Sequence, residues 1–281
     1  MIEPSLLLLI PAYNEERRIE PVLRDYARYF QEQYQGKFQL VVVLNGCTDN
    51  TLAVVQRVGA DYAAVTALEF PDAIGKGGAL IEGLKLAPLA DLIGYVDADG
   101  ATPPHAFHEL VRRIAGVDCA IGSRWLSGAV LHVEQSGHRR LASRAFHLIV
   151  QFLFRMNLRD TQCGAKVMRR EAVEKVHSSL RIADMAFDIN LLYSLKCAGY
   201  RIREVPTEWT DKIGTKVRLF GTSLVMFLSV IRIRLIYWPR LYRWLRPLRP
   251  LEGWVYRKLR APQPRPGPPE SNPRSKKRFG P

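Results

Sequence analysis

The sequence predicts an α/β fold on a mostly parallel sheet, with an appended C-terminal segment. Three observations carry that prediction. Short, wholly apolar runs alternate with stretches of helical rhythm, which implies right-handed crossovers between parallel strands. The carboxylate pair Asp97-Ala98-Asp99 directly follows one such run, at the strand end where open α/β sheets place ligands. With 281 residues and 47% hydrophobic content, the chain can bury a sizeable core, most of it in one domain.

The elements follow in order. Ser5-Leu6-Leu7-Leu8-Leu9-Ile10 ends at Pro11, as a strand covered on both faces should. Ile19, Val22, Leu23, Tyr26 and Phe30 give a helical rhythm with charges between. Phe38–Leu44 is a second buried strand, and Asn45-Gly46 turns the chain towards a helix near Asp49 or Asn50. Ala63–Leu68 is a third strand, and Gly75-Lys76-Gly77-Gly78 opens a helix through Leu86. Leu92–Val96 delivers Asp97, and Gly100 with Pro103-Pro104 ends that strand. Beyond it we expect helices over His105–Ile114, Arg139–Met156 and Asp188–Cys197. Strands are expected at Cys119–Ile121, Lys166–Met168 and Tyr200–Val205.

Charge divides the chain unevenly. The net charge is +14, and Arg240–Pro281, with twelve Lys/Arg and two Asp/Glu, supplies +10 of it. The basic balance therefore describes an appendage and leaves the body nearly neutral. Ala261–Pro281 is rich in Pro, Arg, Ser and Gly and is expected to be disordered. The four cysteines are widely spaced and the six histidines scattered, so neither a disulfide framework nor a zinc site is expected. Ser5–Ile10 is too short for a signal peptide.

Leu219–Ile231 is uncharged and mostly apolar, but thirteen residues reach only roughly 20 Å against a ~30 Å hydrocarbon core. Arg232 and Arg234 follow, then Trp238, Tyr242, Trp244 and Trp254 among further arginines. A helix lying in the membrane interface suits this pattern. The alternative is a helix packed on the globular body. The expected domains are 1–215 for the catalytic body, 216–246 for interface helices and 247–281 for a basic, Pro-rich tail.

Alternate residues of a strand share a face, so Asp97 and Asp99 can aim at one hard cation. Alone, an Asp-x-Asp is also the pattern of a solvated turn or cap. Its neighbours decide. Pro11-Ala12-Tyr13-Asn14-Glu15-Glu16, Asn45-Gly46-Cys47-Thr48-Asp49-Asn50-Thr51, Gly75-Lys76-Gly77-Gly78-Ala79 and Asp97-Ala98-Asp99-Gly100-Ala101-Thr102 resemble the successive motifs of family 2 glycosyltransferases. Gly122-Ser123-Arg124, Asp160-Thr161-Gln162-Cys163-Gly164-Ala165-Lys166 and Phe187-Asp188-Ile189-Asn190-Leu191-Leu192 are similar to the dolichyl-phosphate β-glucosyltransferase branch, to which dolichyl-phosphate mannose synthases are close relatives. The resemblance runs in order from about Ser5 to Trp238.

It implies a GT-A-type, Rossmann-like sheet with C-terminal interfacial helices, and Mg²⁺ or Mn²⁺ held by Asp97 and Asp99. A nucleotide sugar leaves as a diphosphate, and a divalent cation neutralises the charge building on the leaving oxygen. Mannose synthases of the group place an amide ligand two residues after the second Asp; here Ala101 stands there. By motif, Pro11, Tyr13 and Glu15 fall to the nucleoside, with Lys76 alongside. Leu44 and Asn45 replace the usual acids of the second motif, and Asn45 has the donor and acceptor to read a base edge.

A polyprenyl phosphate attacking a sugar diphosphate brings anions together, at roughly 4 kcal/mol per unit charge pair ~4 Å apart near a protein surface. Bidentate arginines relieve this. The resemblance assigns that role to Arg124, and to Arg139 with Ser143; Arg140 and Arg144 are nearby. A phosphate monoester is already largely ionised, so no histidine base is required. Asp188 is expected to orient the acceptor or the sugar hydroxyls, with Gln162 and Lys166 lining the same pocket.

The implied function is inverting transfer of one hexose from a nucleotide sugar, UDP-glucose favoured, to a polyprenyl or dolichyl phosphate. The protein is expected to sit peripherally on the cytoplasmic membrane face and to have no nucleic-acid partner. GDP-mannose is the alternative donor. A processive polysaccharide synthase is disfavoured because its Gln-x-x-Arg-Trp motif is missing. From another class, the basic tail fits a lipid- or nucleic-acid-binding protein with a relic transferase body, against which Asp97, Asp99 and Lys76 argue.

Overall fold

The computed structural model describes residues 3–132, 137–210 and 219–237, the side chains of 137–143, 145 and 219–225 excepted. The first four strands follow the apolar runs: β1 (Leu6–Ala12), β2 (Phe38–Asn45), β3 (Val65–Phe70) and β4 (Leu92–Tyr95). Between them run α1 (Ile19–Gln33), α2 (Thr51–Asp61) and α3 (Lys76–Gly83). β3 begins two residues later than its sequence suggests. α3 gives way to a 3-10 turn over Leu84–Leu89, where Pro88 interrupts the helical hydrogen bonding.

The second half adds α4 (Pro104–Arg112), β5 (Cys119–Ser123), β6 (Val130–His132), α5 (Gly137–Phe154), β7 (Lys166–Arg169), α6 (Arg170–Val176), α7 (Phe187–Cys197), β8 (Ile202–Pro206), β9 (Glu208–Thr210) and α8 (Leu219–Ile236). Seven strands form one sheet in the order β3-β2-β1-β4-β7-β5-β8. All neighbours are parallel except β7, which is antiparallel to both β4 and β5. β6 and β9 pair separately, in parallel. The sequence reading did not anticipate α6, β6 or β9.

Alternation along β1 divides the core. Leu7 and Leu9 face the layer of α3, α5, α6, α7 and α8, whereas Leu6, Leu8 and Ile10 face α1, α2 and α4. Burial on both faces is why the run carries no polar residue.

α8 qualifies the membrane expectation. Ser229, Val230 and Ile233 are buried, Ser229 donates to Asp184 at 2.6 Å, and the Tyr237 ring lies 4.8 Å from Tyr193. Its inner face is therefore packed on the domain, and among its described side chains Phe227 and Ile231 remain exposed on the outer face. Among the described residues no helix is long and apolar enough to cross a membrane. The expected interface helix beyond residue 237 and the Pro-rich tail lie outside the described residues.

Candidate active site

The carboxyl ends of β1, β2 and β4 and the start of α3 surround a cleft of about 350 Å³. Six residues expected at the donor site line it: Pro11, Tyr13, Glu15, Asn45, Lys76 and Asp97, joined by Asp99. Backbone geometry puts them there. Gly75 adopts φ 82°, a left-handed conformation that costs glycine little, and turns the chain so that α3 starts against the cleft with Lys76 first. The loops after β1 and β2 are stitched together: Asn14 Oδ1 accepts from the Thr48 N–H at 2.8 Å, and Thr51 Oγ1 from the Glu15 N–H at 2.9 Å.

Each carboxylate has a fixed setting. The Lys76 ammonium lies 2.5 Å from Asp97 Oδ1. Burial opposes its charge, but Asp97 and Asp188 outweigh burial and hold Lys76 well above the usual lysine range. Asp99 Oδ1 accepts from the Ala101 N–H at 3.0 Å, which closes the turn. Burial and the neighbouring Asp97 push the Asp99 carboxyl above its ordinary value. Glu15 is engaged by Arg18, whose guanidinium donates through Nη2 at 2.7 Å and also through Nε. Asn45 is buried, and its Oδ1 accepts from the Ile74 N–H at 2.6 Å. That leaves the amide nitrogen as its group for a ligand.

Two oxygen donors on one cleft wall fit a hard divalent cation. Among the described residues no group of three or more His, Cys, Asp or Glu gathers to hold a metal ion. Asp97 and Asp99 are the carboxylates of this wall that could hold such a cation.

The acceptor-side residues fall differently. Arg124 is clamped by Asp160: Nε to Oδ2 at 2.7 Å and Nη2 to Oδ1 at 3.0 Å, with the Arg124 N–H also on Oδ2. Its guanidinium lies 5.3 Å from the Trp209 ring. Burial raises the Asp160 carboxyl, but Arg124 outweighs burial and holds it below the usual carboxylate range. Lys166, expected along the acceptor pocket, is instead fully buried. Its ammonium donates to Asp188 Oδ1 and the Cys163 carbonyl, both at 2.6 Å. Asp188 is only 4% exposed and also accepts from the Tyr95 hydroxyl, so it meets the cleft through its charge on Lys76. Gln162 is half-buried, with its N–H on Asp160. Arg139 and Ser143 fall on the first turns of α5, and their side chains lie outside the described residues.

The segment Asp160–Lys166 thus braces the site from below. A Cβ on Gly164 would lie 2.6 Å from Asp97 Cγ, so only glycine leaves that carboxylate its place. Arg18 and Tyr95 were not singled out from the sequence, and Asp160 was read only as the first residue of its motif, without its pairing to Arg124. Arg18 was traceable from its three-residue spacing to Glu15 at a helix start. Asp160 lies 36 residues from its arginine, so nothing local marked the two as partners.

The family model described as glycosyl transferase family 2 matches residues 8–177. The chain belongs to that family. Glycosyltransferase AglD of Haloferax volcanii is 33% identical over 234 residues, which cover 82% of this chain but 37% of AglD. Dolichyl-phosphate β-glucosyltransferase of Mus musculus is 34% identical over 249 residues, 83% of this chain and 76% of that protein. The Saccharomyces cerevisiae enzyme of the same name is 28% identical, covering 86% and 77%. Among solved structures, glucosyl-3-phosphoglycerate synthase from Mycobacterium tuberculosis, in complex with Mn²⁺, UDP and glucosyl-3-phosphoglycerate, superposes with a TM-score of 0.59 at 18% identity, covering 82% and 80%. That likeness is one of fold, and it places this family member among GT-A-type sheets.

Proposed function

We propose that the chain transfers glucose from UDP-glucose to a polyprenyl phosphate of the dolichyl class, with inversion, at the cytoplasmic face of a membrane. The observation that carries this reading is the cleft itself. It gathers Pro11, Tyr13, Asn45, Lys76, Asp97 and Asp99 in a chain that matches dolichyl-phosphate β-glucosyltransferases over more than four-fifths of its length. In the mycobacterial synthase of the same fold, UDP is accompanied by Mn²⁺.

Pro11, Tyr13 and the Asn45 amide form the walls for uridine, and Glu15, fixed by Arg18, stands beside the ribose. Lys76 and the N-terminus of α3 bring positive charge to the diphosphate. Asp97 and Asp99 would hold a divalent cation, which would supply stabilisation for the charge released on the leaving oxygen. In a single displacement, an acceptor phosphate oxygen forms the new bond to sugar C1 as the C1–O bond to the diphosphate breaks, and the electron pair departs with UDP. Arg124, Arg139 and Ser143 would hold the acceptor phosphate, with Arg124 offering the donors that Asp160 leaves unused. Peripheral membrane contact would use the outer face of α8 and the segment after it.

Incubation with radiolabelled UDP-glucose or GDP-mannose, polyprenyl phosphate and Mg²⁺ or Mn²⁺ tests the reading. A lipid-extractable β-glucosyl phosphate from UDP-glucose, dependent on the cation, is expected. A mannosyl product, or none with any cation, overturns the donor or the reaction respectively.

A further inference from the structure

One wall of the donor cleft comes from neither the motifs nor the strand ends. Met185, 39% exposed, lines the cleft together with Lys76 and Asp97, and it belongs to the irregular loop 180–186 ahead of α7. A loop without a ladder of its own must place its backbone groups elsewhere. The Arg181 and Ile182 N–H groups donate to Asn190 Oδ1 at 2.9 and 3.3 Å, and the Ala186 N–H donates to Asp184 Oδ1 at 2.8 Å. The Ala183 carbonyl accepts from the Gly78 N–H at 3.2 Å, one of the donors that the first turn of a helix leaves over. Close packing of the loop on α3 also accounts for Gly77. A Cβ there would lie 2.5 Å from the Ile182 carbonyl oxygen and 2.7 Å from Phe187 Cβ.

Both side chains that hold this loop are themselves held from α8. Ser229, fully buried, donates to Asp184 Oδ2 at 2.6 Å. Just past the end of the helix, the Tyr237 hydroxyl meets Ser194 Oγ. That oxygen accepts from Asn190 Nδ2 at 3.3 Å and donates to the Asn190 carbonyl at 2.7 Å. Asn190 and Ser194 are buried, so water does not replace a partner lost there.

We propose that α8 sets the donor affinity of the cleft through this loop. Asp184 and Asn190 are the positioning residues, and Met185 is the apolar contact they present to a bound nucleotide sugar. The loop touches the first turn of α3, which carries Lys76, and reaches the cleft two residues later. Any shift of it therefore moves the ammonium that meets the diphosphate and the cleft wall together, and small misplacements in a site are costly. The inference rests on the cleft being the donor site.

The test is calorimetric titration of the full-length chain with UDP-glucose and Mn²⁺, without acceptor, alongside steady-state transfer. Ser229→Ala/Tyr237→Phe should raise the Kd and the KM for UDP-glucose about three- to tenfold, the range of one or two lost hydrogen bonds. The kcat and the KM for a prenyl phosphate should stay within about twofold of wild type. Met185→Ala should raise the Kd similarly, and Met185→Leu, apolar and of similar volume, should restore it. Val230→Ala, a buried α8 position whose side chain forms no hydrogen bond, should lower the melting temperature and leave the Kd alone. An unchanged Kd in the double variant overturns the proposal and leaves α8 as packing. So does an unchanged Kd in Met185→Ala, or an equal rise in Val230→Ala, which would assign the effect to packing loss. Wild type that binds UDP-glucose but transfers nothing to a prenyl phosphate removes only the acceptor part of the proposed function. If wild type binds GDP-mannose instead, the donor identity fails alone and the same comparison is read with that ligand. If it binds neither, the donor site and this inference fall together.

Discussion

The donor half of the site and its acceptor half are built by different means. Around the donor cleft, functional groups are delivered by the backbone: three parallel strand ends and one helix start bring Pro11, Asn45, Lys76 and Asp97 together. Their side chains line the cleft itself, where the Lys76–Asp97 pair and the Asn45 amide nitrogen can meet a ligand. On the acceptor side the motif residues are largely spent on each other. Arg124 is held by Asp160, Lys166 by Asp188, and Gly164 is the space that Asp97 occupies. A motif in the first half names groups that line the cleft, whereas much of a motif in the second names groups that hold others still. Substitutions in the two halves should therefore fail in different ways.

The largest effect is expected in the donor half. Asp97→Asn or Asp99→Asn should lower turnover on the order of 10³-fold, since each removes a charged oxygen donor where the leaving diphosphate must be stabilised. Both positions stand at an accessible strand end, so urea unfolding should follow wild type. A variant that keeps near wild-type turnover at saturating cation would remove these carboxylates from the metal.

The acceptor half should fail through stability. Lys166→Met strands the Asp188 carboxylate in the core, at a cost of about 3–5 kcal/mol near neutral pH. Burial raises Asp188, but Lys166 and Lys76 outweigh it and hold its carboxyl below the ordinary value. Such a group stabilises the fold above its ordinary pKa and ceases to do so as the pH falls through the lowered one. The deficit of Lys166→Met should accordingly narrow on acidification in urea titrations, and Lys166→Met/Asp188→Asn should recover most of it. A variant as stable as wild type at neutral pH would show that the pair is not a brace. Gly164→Ala is the exception, because the side chain it meets, Asp97, belongs to the donor half. Its Cβ displaces the Asp97 carboxylate, so activity should fall roughly ten- to hundredfold through misplacement, with a raised cation requirement and little change in unfolding.

This division explains what was legible in the sequence. The runs Ser5–Ile10 and Leu92–Val96 announce strands because burial on both faces excludes polar residues, and whatever follows such a strand lands at the cleft. Nothing local marks Lys166 as buried, because a charged residue carries no sign of whether its partner lies in the core. β7 reads as a strand, but its antiparallel direction depends on the path of the whole chain. β6 and β9, three residues each, are too short for a period to register. The apolar pattern of α8 is equally that of a helix on lipid or on protein, and only its packing against Tyr193 and Asp184 distinguishes the two.

The smallest effect should come from an ion cluster on the same side that burial does not reinforce. Glu208 on β9 takes His105 at 2.9 Å and His132 at 3.4 Å, and both imidazoles are more than half exposed. The hydrogen bond from His105, with the charges of His105 and His132, outweighs slight burial and lowers the Glu208 carboxyl below its ordinary value. Its contribution is thus present above that ordinary value and disappears as the pH falls through the lowered one. Solvent and salt screen such a cluster, so Glu208→Gln should cost less than about 1 kcal/mol. Melting curves at about pH 5.5 should show a small deficit that is gone by about pH 3 and is reduced by 1 M salt. A loss as large as that of Lys166→Met would mean that burial does not separate bracing pairs from incidental ones in this half of the molecule.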